Sequence, residues 1–283
     1  MRYVRPVNYE VLELRDGRLL EYATNGLPRA SSVIFHQGTL NDLCQWRSWL
    51  VELKNRELGA VAFNRSGYGR SSAKEGRCAI DIGNDVRELA DLLDLEHYVS
   101  VGWSGGGPHA LATAFDPRCK GVVTLAGLAP FNQPDLDFYE GMKQNDVDEY
   151  TAALHDINDL IIRLEAGAGN DEFCTPDEHA IAMPSFEEIA AAILRTKEFG
   201  LRCIVDDYSS YLSPWGFSVT GIQVPVIVFQ GGLDENVPFG HARWLASKIP
   251  NAVLNSKPGE GHISLILNNR GEIVREAIRL LGA

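Results

Sequence analysis

The stretch Val99-Ser100-Val101-Gly102-Trp103-Ser104-Gly105-Gly106-Gly107 constrains the fold more than any other part of the chain. An apolar run ends, four glycines gather around one serine, and the alanine-rich pattern His109-Ala110-Leu111-Ala112 follows at once. Glycine inside a strand or helix costs about 0.5–1 kcal/mol relative to alanine. Glycines this dense therefore mark a place where backbones must turn sharply or approach closely. The pattern predicts a strand, a tight turn bearing Ser104, and a helix.

The same alternation runs through much of the chain. Tyr9 to Gly26 reads as a hairpin turning at Asp16-Gly17, a pair that favours tight turns. Short apolar strands are predicted at Ser31–His36, Leu58–Phe63, Tyr98–Trp103, Cys119–Leu125 and Val224–Gln230, with another leading into the loop before His262. Amphipathic helices lie between them; one carries Val86, Leu89, Leu92 and Leu93 at helical spacing. Apolar strands alternating with helices imply a mainly parallel α/β sheet covered on both faces. Residues 131–215 break the rhythm. They read as helices only, within Asp146–Leu164, Ser185–Gly200 and Arg202–Leu212. They also hold 18 acidic and 5 basic side chains, net −13, against +1 for the rest of a chain whose total is −12. The expected organisation is one α/β core, 1–130 with 216–283, interrupted by a helical cap, 131–215.

Gly102-Trp103-Ser104-Gly105-Gly106 fits G-x-S-x-G between a strand and a helix, the setting of a nucleophile elbow. Serine needs a base to take its proton, and the base needs an acid to orient it. With such an elbow the partners follow as serine, acid, histidine. Asp234 lies in the loop after an apolar strand and His262 in a glycine-rich loop before the last helix, both at carboxyl ends of predicted strands, where open α/β sheets hold their sites. Glu235 is adjacent, but Asp234 directly follows the Gly-Gly-Leu turn. Gly105 supplies one backbone N–H to a developing oxyanion. Thr39, in the loop after an early strand, supplies the second, with Gly38 turning that loop. Gln37, Trp103, Phe131 and Trp215 are expected to line the substrate pocket.

Six segments together, "FHQGT", "FNRSGYGRSS", "GWSGGGPHALA", "PWGF", "VPVIVFQGGLDENVP" and "GEGHISL", resemble the α/β-hydrolase superfamily, specifically its bacterial branch with a cap inserted after the sixth strand. They span about residues 15–283 in the family's order. Three positions depart from the common pattern: Gln37 before Gly38 where histidine is usual, Leu40 where proline is frequent, and Asn64 in place of aspartate. The resemblance implies an α/β-hydrolase sheet and leaves the triad intact.

The expected activity is hydrolysis of a small, neutral carboxylic ester through an acyl-enzyme. An aminopeptidase of the proline iminopeptidase type, a C–C bond hydrolase, and a ligand-binding protein on a hydrolase fold stay open as alternatives. Ser104 stands where epoxide hydrolases and dehalogenases of the superfamily carry aspartate, which sets those aside. The acidic balance argues against nucleic acid, whose phosphates call for basic patches. No apolar run is long enough for a membrane span, and the charged N-terminus lacks a signal-peptide core, so a cytoplasmic location is expected. The five cysteines, Cys44, Cys78, Cys119, Cys174 and Cys203, form no paired spacing and are expected to be free thiols. The expected partner is a small-molecule substrate, with no cofactor and no metal, because the seven histidines show no ligand spacing.

Overall fold

The computed structural model describes residues 9–27, 30–166 and 173–282. In chain order they form β1 (Tyr9–Glu13), β2 (Leu19–Thr24), β3 (Ser31–His36), α1 (Arg47–Asn55), β4 (Gly59–Phe63), α2 (Asp81–Leu92), β5 (His97–Trp103), α3 (Gly106–Ala112) and β6 (Cys119–Leu125). Five helices follow: α4 (Gln144–His155), α5 (Ile157–Ala166), α6 (Thr175–Ile181), α7 (Glu187–Glu198) and α8 (Arg202–Leu212). The chain then completes β7 (Val226–Gly231), α9 (Phe239–Lys248), β8 (Ala252–Lys257), α10 (His262–Asn268) and α11 (Arg270–Leu281).

The eight described strands make one sheet in the order β1-β2-β4-β3-β5-β6-β7-β8. The β1–β2 hairpin and the β2–β4 pair are antiparallel; every pair from β4 to β8 is parallel. The sheet's two faces can be read along single strands. In β3, Val33 and Phe35 enter one apolar cluster with α1 and α11, while Ile34 enters the other with α2, α3 and α9. Side chains alternate across a strand, and here both faces are covered, so the central strands are mostly apolar, with Ser32, His36, Ser100 and Thr124 as buried polar exceptions. In α2, Ile82, Val86, Leu89 and Ala90 are buried, whereas Leu92 is exposed.

Between β6 and β7 the described residues contain no strand. Three of the five helices there, α4, α5 and α8, build a third cluster from Tyr150, Leu160, Ile204 and Tyr208, joined by Phe138 ahead of α4 and by Tyr68 and Leu128 from loops of the sheet, whereas Ile189 of α7 packs in the cluster of α1 and α11. Three local expectations are corrected. The long helix through Asp146–Leu164 is two helices, because Asp156 is extended (φ −151°, ψ 95°) and its carboxylate accepts from the Asn158 and Asp159 N–H groups at 3.0 and 3.3 Å. That side chain caps α5 and so ends α4. Helix α6, with a proline and two acids in its first turn, is an additional element. His262 opens α10 rather than lying in a loop. The five cysteines are unpaired, with Cys44, Cys119 and Cys203 buried. Among the described residues, no helix is long and apolar enough to cross a membrane.

Candidate active site

Ser104 follows β5 directly, and its φ of +54° lies in the left-handed region that non-glycine residues rarely adopt. Two hydrogen bonds hold the turn: Ser104 N–H donates to Leu125 O at 2.8 Å, and Gly107 N–H to Ser104 O at 2.9 Å. The flanking glycines are there for space. A Cβ on Gly102 would strike the Gly106 carbonyl, and one on Gly105 would strike the Tyr211 and Thr39 hydroxyls. The serine therefore stands at the carboxyl end of the central strand, at the mouth of α3.

Asp234 and His262 come from the ends of the neighbouring strands β7 and β8. Both are buried. His262 Nδ1–H donates to Asp234 Oδ2 at 2.9 Å. Oδ1 of the same carboxylate accepts from the Asn236 and Val237 N–H groups at 3.0 and 2.8 Å, and Oδ2 also accepts from Gln230 Nε2 at 3.1 Å. With Nδ1 donating, Nε2 of a neutral imidazole carries the lone pair and can act as a base. Burial pulls the imidazole pKa down, but the charge and hydrogen bond of Asp234 and the charges of Asp177 and Asp146 outweigh it, leaving it above the ordinary 6.5. Trp103 donates its indole N–H to His262 O at 3.3 Å and sets its ring 5.3 Å from the imidazole.

Ser104 and His262 open on one cavity of about 290 Å³, which Thr39, Trp103 and Gly105 also line. The helices between β6 and β7 also line it, through Tyr150, Leu164, Ile189, Tyr208 and Tyr211. Charges of both signs reach the lining: Asp146 and Glu149, and Lys143, Arg163 and Lys197. Among the described residues, the acidic excess of residues 131–215 is thus not gathered over Ser104. Arg163 donates to Asp159 at 2.9 Å and to Asp148 at 3.3 Å, and Tyr208 OH donates to Glu149.

Among the described residues, the backbone N–H groups of Thr39 and Gly105 make no hydrogen bond within the protein. Their segments are nevertheless held firmly. Arg65, fully buried, donates to the carbonyls of Gln37 and Gly38. The Thr39 hydroxyl meets Tyr211 OH at 2.8 Å and donates to Asp207 Oδ2 at 3.2 Å, and Tyr211 OH donates to Gly105 O at 3.2 Å. Asp207, on α8, pairs with Arg65 and with Arg77 and accepts from Tyr68 OH at 2.7 Å.

Of the residues expected in the pocket, Trp103 alone lies in the cavity wall. Gln37 is buried behind it, its amide donating to Phe63 O at 2.9 Å and accepting from Arg65 N–H at 3.1 Å. Phe131 packs on Phe138 and Tyr139, at 5.2 and 6.1 Å between ring centres. Trp215 is buried in the core beneath the sheet against Phe217. Large aromatics fill cores as readily as pockets, so residue type alone does not separate the two. Asp207 and Tyr211 are missed by sequence reasoning for another reason: they meet the loop of Thr39 across more than 160 residues. No local signal marks them: Asp207 lies among the buried residues Cys203, Ile204 and Tyr211 of α8, but that burial, and with it the need for a partner, exists only once the helix has docked.

The family model described as alpha/beta hydrolase fold matches residues 31–269. A non-heme chloroperoxidase of Streptomyces lividans is 25% identical over 257 residues, covering 87% of this chain and 90% of that protein. Among solved structures, a hydrolase from Pseudomonas aeruginosa PA01 superposes with a TM-score of 0.72 at 22% identity, covering 98% of this chain and 99% of the other. The enol-lactonase from Burkholderia xenovorans LB400 superposes with a TM-score of 0.70 at 19% identity, over 97% of this chain and 100% of the other. Sheet order, elbow and the match over most of the length agree: the chain belongs to the alpha/beta hydrolase fold family.

Proposed function

We propose that the protein is a serine hydrolase that cleaves a small, neutral carboxylic ester through an acyl-enzyme, beneath a cap formed by the helices of residues 131–215. The observation that carries this reading is the hydrogen bond from His262 to Asp234 beside the cavity that also exposes Ser104 on its left-handed turn. Ser104 Oγ attacks the ester carbonyl while His262 Nε2 takes its proton, and Asp234 stabilises the imidazolium. The Thr39 and Gly105 N–H groups receive the oxyanion. The imidazolium returns its proton to the departing alkoxide, and water, activated in the same way, releases the acid. The esterase reading is favoured by the largely apolar lining and by an Arg163 already matched to two carboxylates, which suits an uncharged acyl group. The similarity to a lactone-cleaving enzyme is consistent with it.

A fluorophosphonate probe should label wild-type protein once, at Ser104, and Ser104→Ala should abolish both labelling and turnover, by on the order of 10⁴-fold or more. Turnover is read on para-nitrophenyl esters, neutral and carboxylated, beside amino-acid naphthylamides and vinylogous diketones. Labelling that survives in Ser104→Ala rejects the nucleophile. Turnover of the naphthylamides or diketones alone transfers the reading to an aminopeptidase or a C–C hydrolase.

A further inference from the structure

Helix α10 begins at His262, and the residue before it is Gly261, which has no side chain to cap the first turn. A helix start leaves its first N–H groups without intrahelical acceptors. Here they are taken by a residue 85 positions away in sequence. Asp177, on α6, is buried; its Oδ2 accepts from His262 N–H at 2.8 Å, and its Oδ1 from Ile263 N–H at 3.0 Å and Ser264 N–H at 2.7 Å. Gly261 is itself part of the arrangement. A Cβ there would strike the Cys174 sulfur and lie 2.6 Å from the Asp177 carboxyl carbon, so a self-capping serine or aspartate at 261 is excluded by these two side chains of the α6 segment. Gly261 N–H in turn donates to Ser264 Oγ at 2.8 Å.

We propose that Asp177 is a positioning residue for His262: the inserted helices supply, from α6, the carboxylate cap that fixes the backbone of the base against Ser104 and Asp234. The proposal rests on His262 acting as the base. It makes the site dependent on the docking of α6, since withdrawing that helix leaves three N–H groups at the base unpaired. It also adds a fixed negative charge near the imidazole. The charged groups facing His262 are Asp234 from the β7 loop, Asp177 from α6 and Asp146 from α4. Asp177 also interacts with the Cys174 thiol and shares a small cleft with Lys143 and Glu235.

The test is the rate of fluorophosphonate labelling of Ser104 as a function of pH in wild type, Asp177→Asn and Glu178→Gln. The Asp177→Asn change keeps one acceptor oxygen and removes the charge. Glu178 is exposed on the same helix, so its variant makes the same charge change without the contact. Asp177→Asn should label more slowly at the plateau, and its midpoint should fall by about half a pH unit or more, because a nearby anion favours the imidazolium. Glu178→Gln should match wild type. A midpoint in Asp177→Asn that stays put or rises overturns the role of Asp177 while leaving the hydrolase reading intact; absence of labelling in wild type overturns that reading itself. Should Asp177→Asn not fold, amide hydrogen exchange in the wild type decides. Slow exchange at His262, Ile263 and Ser264 supports the clamp, and fast exchange rejects it.

Discussion

Tyr211 reaches from α8 to both backbone segments assigned to the oxyanion hole, touching the Thr39 hydroxyl and the Gly105 carbonyl. It makes no contact with the N–H groups that would bind the oxyanion, so its effect on them is geometric. Burial, with the charge of Asp207 beside it, raises the phenol well above its ordinary pKa of 10.0, so it is a neutral donor around neutral pH. Tyr211→Phe should lower kcat about 5- to 10-fold with little change in KM, the loss of its hydroxyl contacts to Thr39 and Gly105 being felt mainly in the transition state as about 1 kcal/mol. Steady-state kinetics on a neutral ester reads it. An unchanged kcat would show that Arg65 and the Thr39–Asp207 hydrogen bond hold the loop without Tyr211.

At the scale of elements, the inserted helices are joined to the sheet by buried polar anchors as well as by apolar contact. Arg195 on α7 donates to Glu21 at 2.7 Å and to Asp42, both carboxylates being fully buried. Asp207 on α8 pairs with Arg65 and Arg77, and Asp177 on α6 caps α10. Such anchors fix where a helix docks more sharply than they stabilise it, because desolvation offsets most of the Coulomb gain. Breaking one is a different matter. Asp207→Ala strands two buried guanidinium groups and should cost about 3–5 kcal/mol in urea unfolding. Burial alone would raise the Asp207 pKa, but the charges of Arg65 and Arg77 reverse the effect and hold it far below the carboxylate range. Its folded value is depressed, so its stabilisation is present above about pH 4 and is lost as the pH falls further. A cost below about 1 kcal/mol would mean that the pocket relaxes around the unpaired arginines.

For the whole molecule the buried histidines set the response to mild acid. Burial lowers His36 well below 6.5, burial and the charge of Arg65 lower His109 to about 3, and burial lowers His241 to about 4. All three stay neutral in the fold and take up protons once the chain unfolds. A depressed folded pKa gives stability that is present above the unfolded value of about 6.5 and declines below it. His262, raised, works in the opposite sense over a narrower range. Stability should therefore fall between about pH 6.5 and 5, by up to about 1.4 kcal/mol per unit for each of the three. Urea midpoints across that range measure it, and a flat or rising profile would contradict the assignment.

Features with a local cause could be read from the chain alone. Strand alternation, the Asp16-Gly17 turn and the glycines around Ser104 each reflect neighbours in the chain, and so the parallel sheet, the tight turn at Ser104 and the helices among the described residues between β6 and β7 were legible. Asp234 and His262 could be named as candidates because loops at strand ends carry such residues. Their meeting at 2.9 Å was decided by the sheet, which sets the ends of β7 and β8 side by side. The anchors Asp177, Asp207 and Tyr211 were not legible. An acid on an amphipathic helix has the same sequence signature whether it faces water or a buried arginine, and only the docking of that helix chooses. Trp215 and Phe131 failed as pocket residues for the same reason, since an aromatic side chain is equally at home in the core and at a cavity wall.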